Sequence, residues 1–566
     1  MKKLLGASIS LAFIFAATGA HAVWTEPSYR QDQVGINVED AWINNGNQVS
    51  RIVSLETRAG QMPNERLCAG FGEGVCDFNN SKYRASVNAL LGYCLDSADI
   101  GCVEGLTRNG TALELIGEAG GATFEGDASK DLPNGRTVSL WSDPTLPDVK
   151  FAVYASMVTN YHKAIGRFRA DEFVLTVIPY TLAEGQFTPS TATERYLDSQ
   201  QRWVVSSGGF PTQCAWVTET ECGEWADFPV GENEIQVSLR VPSSTGSWFQ
   251  GRLDNASFAV EKVNSRVNRM VVSGQPAWVP KVYVRVDKDK QTQAQRDAEC
   301  PPNWVGCMPS SGLVNIRASY ANTPGLIEAY RAAAKDTAVA IQQKWSFQVA
   351  PALGNKCLTD TTRVHGIVTT NASVYQGTAP EFANGYLSYK VAGYHFGPDG
   401  EENIGTYRLI INSETAKCLY GFDTVPAQAS VTVIGTDKQT VSTTTVGEKN
   451  GWLYLDAAGF TFSQKNIKVA FSKPQAFTIA PFPGNTQSLT AMQKMQIKTF
   501  MSKSTASKNL TCKAMYKSAA TKSLALKRSQ AACALAKSYA PKAKVTATVI
   551  QTSKASEIGR VNISSK

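Results

Sequence analysis

Cysteine, histidine and a C-terminal crowd of lysines are the residue types in this chain whose spacing bears on chemistry. The twelve cysteines fall in order into couples: Cys68/Cys76, Cys94/Cys102, Cys214/Cys222 and Cys300/Cys307, then the wider Cys357/Cys418 and Cys512/Cys533. Zinc sites want cysteines two to four residues apart with histidine close by, and none of these couples is so spaced. Oxidation to disulfides is the chemistry that remains. Spacing does not fix connectivity, but pairing in sequence order is the simplest arrangement. A small loop closed in this way stabilises by ~2–3 kcal/mol and a wide one by ~4 kcal/mol in the chain-entropy account. Such bonds belong to an oxidising compartment.

The histidines argue less. His365 and His395 lie in strand-like segments (RVHGIVTT and VAGYHFG), with Asp399 and Glu401 nearby in sequence, so a two-histidine site is conceivable. A strand histidine satisfied by its neighbours is the commoner case. His162 stands alone in TNYHKA. The chain has no G-x-S-x-G nucleophile elbow, no HExxH and no phosphate-binding glycine loop. VDKDKQ (286–291) begins like a calcium loop but lacks its central glycine and closing glutamate. No catalytic residue, metal or cofactor is expected. Trp203, Trp216, Trp225, Trp248, Trp278 and Trp304 fall in presumed loops, where they would stack on a sugar or a protein partner or serve as core and rim residues.

Charge separates the chain into two parts. Residues 491–566 hold fifteen Lys or Arg against one acid, Glu557, a net of +14. The whole chain is +8 and Lys2 and Lys3 supply +2, which leaves residues 23–490 at −8. A basic end on an acidic body points to a polyanionic partner for that end. Few aromatics interleave with the lysines, which argues against single-stranded nucleic acid.

The elements that must position these residues are mostly strands. Residues 1–22 read as a cleaved secretory signal: Lys2 and Lys3, then LLGASISLAFIFAA, then Ala20-His21-Ala22. No later segment is long and apolar enough to span a membrane. Residues 23–321 alternate in short runs such as 172–181, 234–242, 281–287 and 313–320, and form one or two β-rich domains with the four small disulfide loops. Thr323-Pro324 opens a helix that LIEAYRAAAKDTAVAIQQKW continues, making 322–345 a helix or linker. Residues 346–474 carry about seven strand-like runs, 452–456 and 459–463 among them, which suggests a β-sandwich. Residues 475–566 read as βαβαββ, a compact α/β unit. The expected fold is therefore multidomain and mainly β, with disulfide-stapled β-sandwich-type domains and a C-terminal α/β domain.

That last segment resembles the OmpA-like C-terminal domain family. TKSLALKRSQAA (521–532) places Leu524, Arg528 and Ala531 at the Leu, Arg and second Ala positions of its helix motif, and IGRVNI (558–563) matches the closing strand at Arg560 and Val561. The resemblance covers about one sixth of the chain. It implies association with peptidoglycan, with Arg528 as the residue that meets the stem peptide. The family aspartate falls at or near Lys513, no acid occurs between Ala491 and Ser556, and the loop TCKAMYKSAATKS lacks the family glycine. Arg528 with Lys513 and Lys527 is therefore expected to meet an anionic wall polymer, peptidoglycan or an anionic glycopolymer. The reading is of an exported envelope protein. The alternatives are a secreted carbohydrate-active hydrolase with a targeting module, or an adhesin whose loops bind carbohydrate or protein.

Overall fold

The computed structural model describes residues 27, 30–40, 49–56, 63–197, 202–207, 213–246, 248–300, 312–320, 323–351, 354–360, 363–421, 428–435, 442–443, 446–462, 465–472, 475–502, 509–554 and 556–565. The expected signal at 1–22, Cys307 and Trp304 lie outside them.

The alternating segments form strands and build a mainly β molecule with three layers in its body. The middle layer is one long sheet. Across it run Asn64–Cys68, Arg51–Glu56, Tyr83–Leu90, Lys150–His162, Arg167–Glu184, Ala340–Val349, the first turns of Trp248–Lys262, Gly366–Thr370, Ile404–Asn412, Trp452–Thr461 and Val446–Lys449. Neighbours are antiparallel except Trp248–Lys262 beside Gly366–Thr370.

A second sheet, of Cys102–Arg108, Ile235–Pro242, Val267–Lys281 and the far half of Trp248–Lys262, covers one face. Trp248–Lys262 and Val267–Lys281 belong to both layers, because their other halves pair with Ala340–Val349. The register slips between Asp254 and Ser257, where the first of them turns the corner. A third sheet, built on Tyr386–Ala392, Lys465–Ser472 and Gln428–Gly435, covers the opposite face. A small sheet of Tyr283–Asp287, Gln33–Glu39 and Leu313–Arg317 adjoins that side.

Burial follows from this layering. Ile367, Ile410 and Trp452 pack into the core on one side of the middle sheet, and Val368, Leu409, Ile411 and Leu453 into the core on the other. Side chains of a strand alternate between faces, so a sheet covered twice has no polar face. Gly366–Thr370 is accordingly buried at every residue.

Two expectations need correction. The helix at 323 ends at Tyr330, and Ala340–Val349 is a strand. Good helix formers fill the intervening stretch, but Lys335 and Asp336 take left-handed backbone (φ 54° and 56°) and break the helix. Helix propensity is worth only tenths of a kcal/mol per residue, whereas a buried aromatic removes ~150–250 Å² from water. Trp345 and Phe347, both fully buried, win. The segment expected to be a helix or linker therefore joins the middle sheet, and strands from either side of it pair with one another. The runs expected as two strands at 452–456 and 459–463 are one strand, Trp452–Thr461. Gly405 pairs with Phe460 and Thr406 with Ala458, so Gly459 (φ 80°) is the extra residue of a bulge.

The cysteines pair as the sequence order suggests. Cys68–Cys76, Cys94–Cys102, Cys214–Cys222, Cys357–Cys418 and Cys512–Cys533 are disulfides, and Cys300 is disulfide-bonded as well. No free cysteine occurs among the described residues. No helix of the described residues is long and apolar enough to cross a membrane.

Candidate functional site

The basic C-terminal segment folds on a core of its own, drawn from Phe477 onward. Its elements are Gln475–Thr478, the helix Ala491–Ser502, Asn509–Tyr516, the helix Ala519–Tyr539, Lys544–Gln551 and Val561–Ser565, the order read from the sequence. Asn509–Tyr516 lies at the centre, parallel to Lys544–Gln551 and antiparallel to Val561–Ser565, which Gln475–Thr478 edges. Leu510, Cys512 and Ala514 point to the helical side and are buried. The long helix answers with Ala525, Ser529, Ala532, Cys533 and Ala536, small side chains at helical spacing that let it approach closely. The Cys512–Cys533 bond fastens strand to helix, and Ser529 Oγ donates to the Cys512 carbonyl at 2.6 Å.

Arg528 shares that inward stripe and is only 7% exposed. Its Nε donates to the Thr486 carbonyl at 2.7 Å and its Nη2 to the Gly484 carbonyl, while the guanidinium lies over the Phe482 ring at 5.1 Å. Burial lowers its pKa. The remaining nitrogen, Nη1, has no acceptor among the described residues and faces Gly559, where a Cβ would stand 3.5 Å away. Arg528 thus braces the 482–486 loop and keeps one donor nitrogen uncommitted.

The three residues expected to act together do not meet. Lys513 alternates with Cys512 and Ala514, so it points away from the helices, onto the open face of the sheet. Lys527 is exposed on the helical layer, the other side of the unit. What surrounds Lys513 is a polar lattice missed at the level of sequence. Thr478, Asn562, Lys513 and Thr548 form one row across all four strands, and Ser564, Thr511 and Thr546 form a parallel row. All are exposed or half-exposed, and neighbours in such a row stand ~4.5–5.5 Å apart. The signal was present: TCK, KVTATV and RVNIS alternate hydroxyl, amide or lysine with apolar residues. Among the described residues the unit's one ion pair is Lys554–Glu557 at 3.3 Å. Lys494, Lys498, Lys513, Lys522, Lys527, Lys537, Lys542 and Lys544 take no carboxylate there.

The body's histidines are held separately. His365 is buried, its Nδ1 2.8 Å from Thr415 Oγ1 and its Nε2 3.1 Å from the Asp360 carbonyl, and burial lowers its pKa. His395 Nδ1 lies 2.5 Å from Asp336 Oδ2, and Asp336 also takes Arg331. The two histidines share no partner, and no group of three or more metal-ligating side chains occurs among the described residues. Trp248 and Trp216 are core residues. Trp203, by contrast, is 36% exposed with Arg66 over its ring at 4.8 Å.

No family model matches this sequence, and no curated protein matches it.

Proposed function

We propose that this is an exported envelope protein whose C-terminal unit associates non-covalently with an anionic wall polymer while the β-rich body projects from it. One observation supports this most directly: a folded unit of +14 whose lysines, among the described residues, find one carboxylate partner inside it and none in the body. Cations left unpaired on a rigid fold pay little to bind a polyanion, because no internal ion pair has to be broken first. The disulfides fit an oxidising compartment.

The open sheet face is the contact surface in this reading. Its hydroxyls and amides hydrogen-bond to the hydroxyls of a sugar chain, and Lys513 at the centre and Lys544 at the edge meet phosphate or carboxylate. Lys527 on the helical layer adds to the field rather than to the contact. Arg528 keeps Nη1 for an acidic group at the sheet's end, the position to which the OmpA-like resemblance assigns stem-peptide recognition. With charges screened over ~8 Å at physiological ionic strength, retention falls steeply as salt rises.

The test is retention of the full chain on purified cell wall, with and without chemical removal of its anionic polymers, beside Lys513→Glu. Retention should drop on stripped wall and in Lys513→Glu. Equal retention of both proteins on both walls would reject the proposal.

A further inference from the structure

A cleft of about 400 Å³ opens in the body beside the tip of the hairpin formed by Lys150–His162 and Arg167–Glu184. That volume lies within the range of small-molecule sites. His162, Arg169 and Asp171 stand on the hairpin side, and Val349, Pro351 and Leu358 give the cleft an apolar part.

The charges in it are unusual in what they leave unmade. Arg167, two residues before Arg169, lies 3.5 Å from Asp131, which also takes Arg266 at 2.6 Å. Arg169 takes no carboxylate among the described residues. Asp171 accepts from the Asn160 amide and takes no cation among the described residues. The hairpin register slips between Ala170 and Glu172, so Asp171 is an inserted residue of a bulge, a device that re-aims a side chain. A guanidinium and a carboxylate therefore line one cleft without pairing with each other. Among the described residues no Trp, Tyr or Phe lines it, so they offer no stacking platform of the kind a neutral-sugar site uses.

We infer that this cleft binds a free α-amino acid with an aliphatic side chain. Arg169 takes the carboxylate, for which its planar fork is suited, and Asp171 takes the ammonium. Val349, Pro351 and Leu358 receive the side chain. The inference stands apart from the wall-polymer reading, since it concerns the body alone.

The experiment is calorimetric titration of the full disulfide-bonded chain with leucine. Isocaproate, which keeps the carboxylate and lacks the amine, and isoamylamine, which does the reverse, serve as half-ligands. Leucine should bind, and each half-ligand should bind at least about tenfold more weakly, the loss expected on removing one charged hydrogen-bonding partner. Arg169→Ala and Asp171→Asn, both at exposed positions and checked for an unchanged circular dichroism spectrum, should each weaken leucine by a similar factor. Absence of leucine binding, isocaproate binding as well as leucine, or unchanged binding in either variant overturns the inference.

Discussion

Replacing Arg528 by alanine separates two roles that the sequence merges in one residue. In the structure Arg528 is a brace before it is a binding group, because two of its nitrogens hold the Thr486 and Gly484 carbonyls. A hydrogen bond from a charged donor contributes ~1.5–3 kcal/mol, and the lower end applies to these two half-buried bonds because Gly484 and Thr486 are themselves exposed. The cation over Phe482 adds ~0.5–1 kcal/mol. Withdrawing the guanidinium from water offsets part of this. The net loss for Arg528→Ala is then about 2–4 kcal/mol, which lowers the melting temperature of a unit this size by about 10–20 °C. Tryptophan fluorescence is blind to the change, since Trp452 is the last tryptophan in the chain. Hydrogen exchange of amides in 475–566 during urea unfolding of the full chain reports on the unit directly. Faster exchange across the unit, with the body unchanged, is the expected result. A variant whose C-terminal unit is as stable as the parent's, yet which no longer holds the wall, would refute the bracing argument and make Arg528 a binding residue alone.

Three further outcomes follow from geometry. Serine at both Cys512 and Cys533 opens a loop of 21 residues and should cost the unit ~3 kcal/mol, read by the same exchange measurement. Glu104 is held down to about 2 by Arg269 first, with Arg240 and Ser238 also bonded to it. Its contribution is therefore present above its unfolded pKa of about 4.5 and is lost as pH falls from there towards 2. Solvent screening limits it to ~1 kcal/mol, and Glu104→Gln should remove that part of the acid-side loss seen in urea midpoints between pH 5 and pH 2. Gly459 sits at φ 80° in its bulge, so Gly459→Val forces a branched side chain into left-handed backbone. A loss of about 1–2 kcal/mol in body stability is expected by chemical denaturation, and an unchanged midpoint would contradict the bulge.

Much of the fold was legible where local pattern and tertiary role agree. The alternating run at 234–242 is a strand because its apolar residues Ile235, Val237, Leu239 and Val241 face one core. Cys68–Cys76, Cys94–Cys102 and Cys214–Cys222 each span eight residues and need no distant partner. The segment after Tyr330 misled because its alanines favour a helix locally, while the deciding fact, Trp345 and Phe347 between distant strands, is not local. At the C-terminal unit the residue types were legible and their directions were not used. Alternation through TCK already separates Lys513 from the helix that carries Lys527 and Arg528. The cleft with Arg169 and Asp171 was invisible because its other wall comes from residues near 350, far along the chain.

The strand Gln33–Glu39 has a consequence for how the protein is made. Its ladder partners lie at Tyr283–Asp287 and Leu313–Arg317, and Gln33 bonds to Asp287 across 254 residues. During synthesis the strand waits, with Val34, Ile36 and Val38 unpaired, until those later segments emerge. Closure of this small sheet therefore comes late in synthesis, and a folding helper that shields Gln33–Glu39 until Leu313–Arg317 has been made should raise the yield of the body.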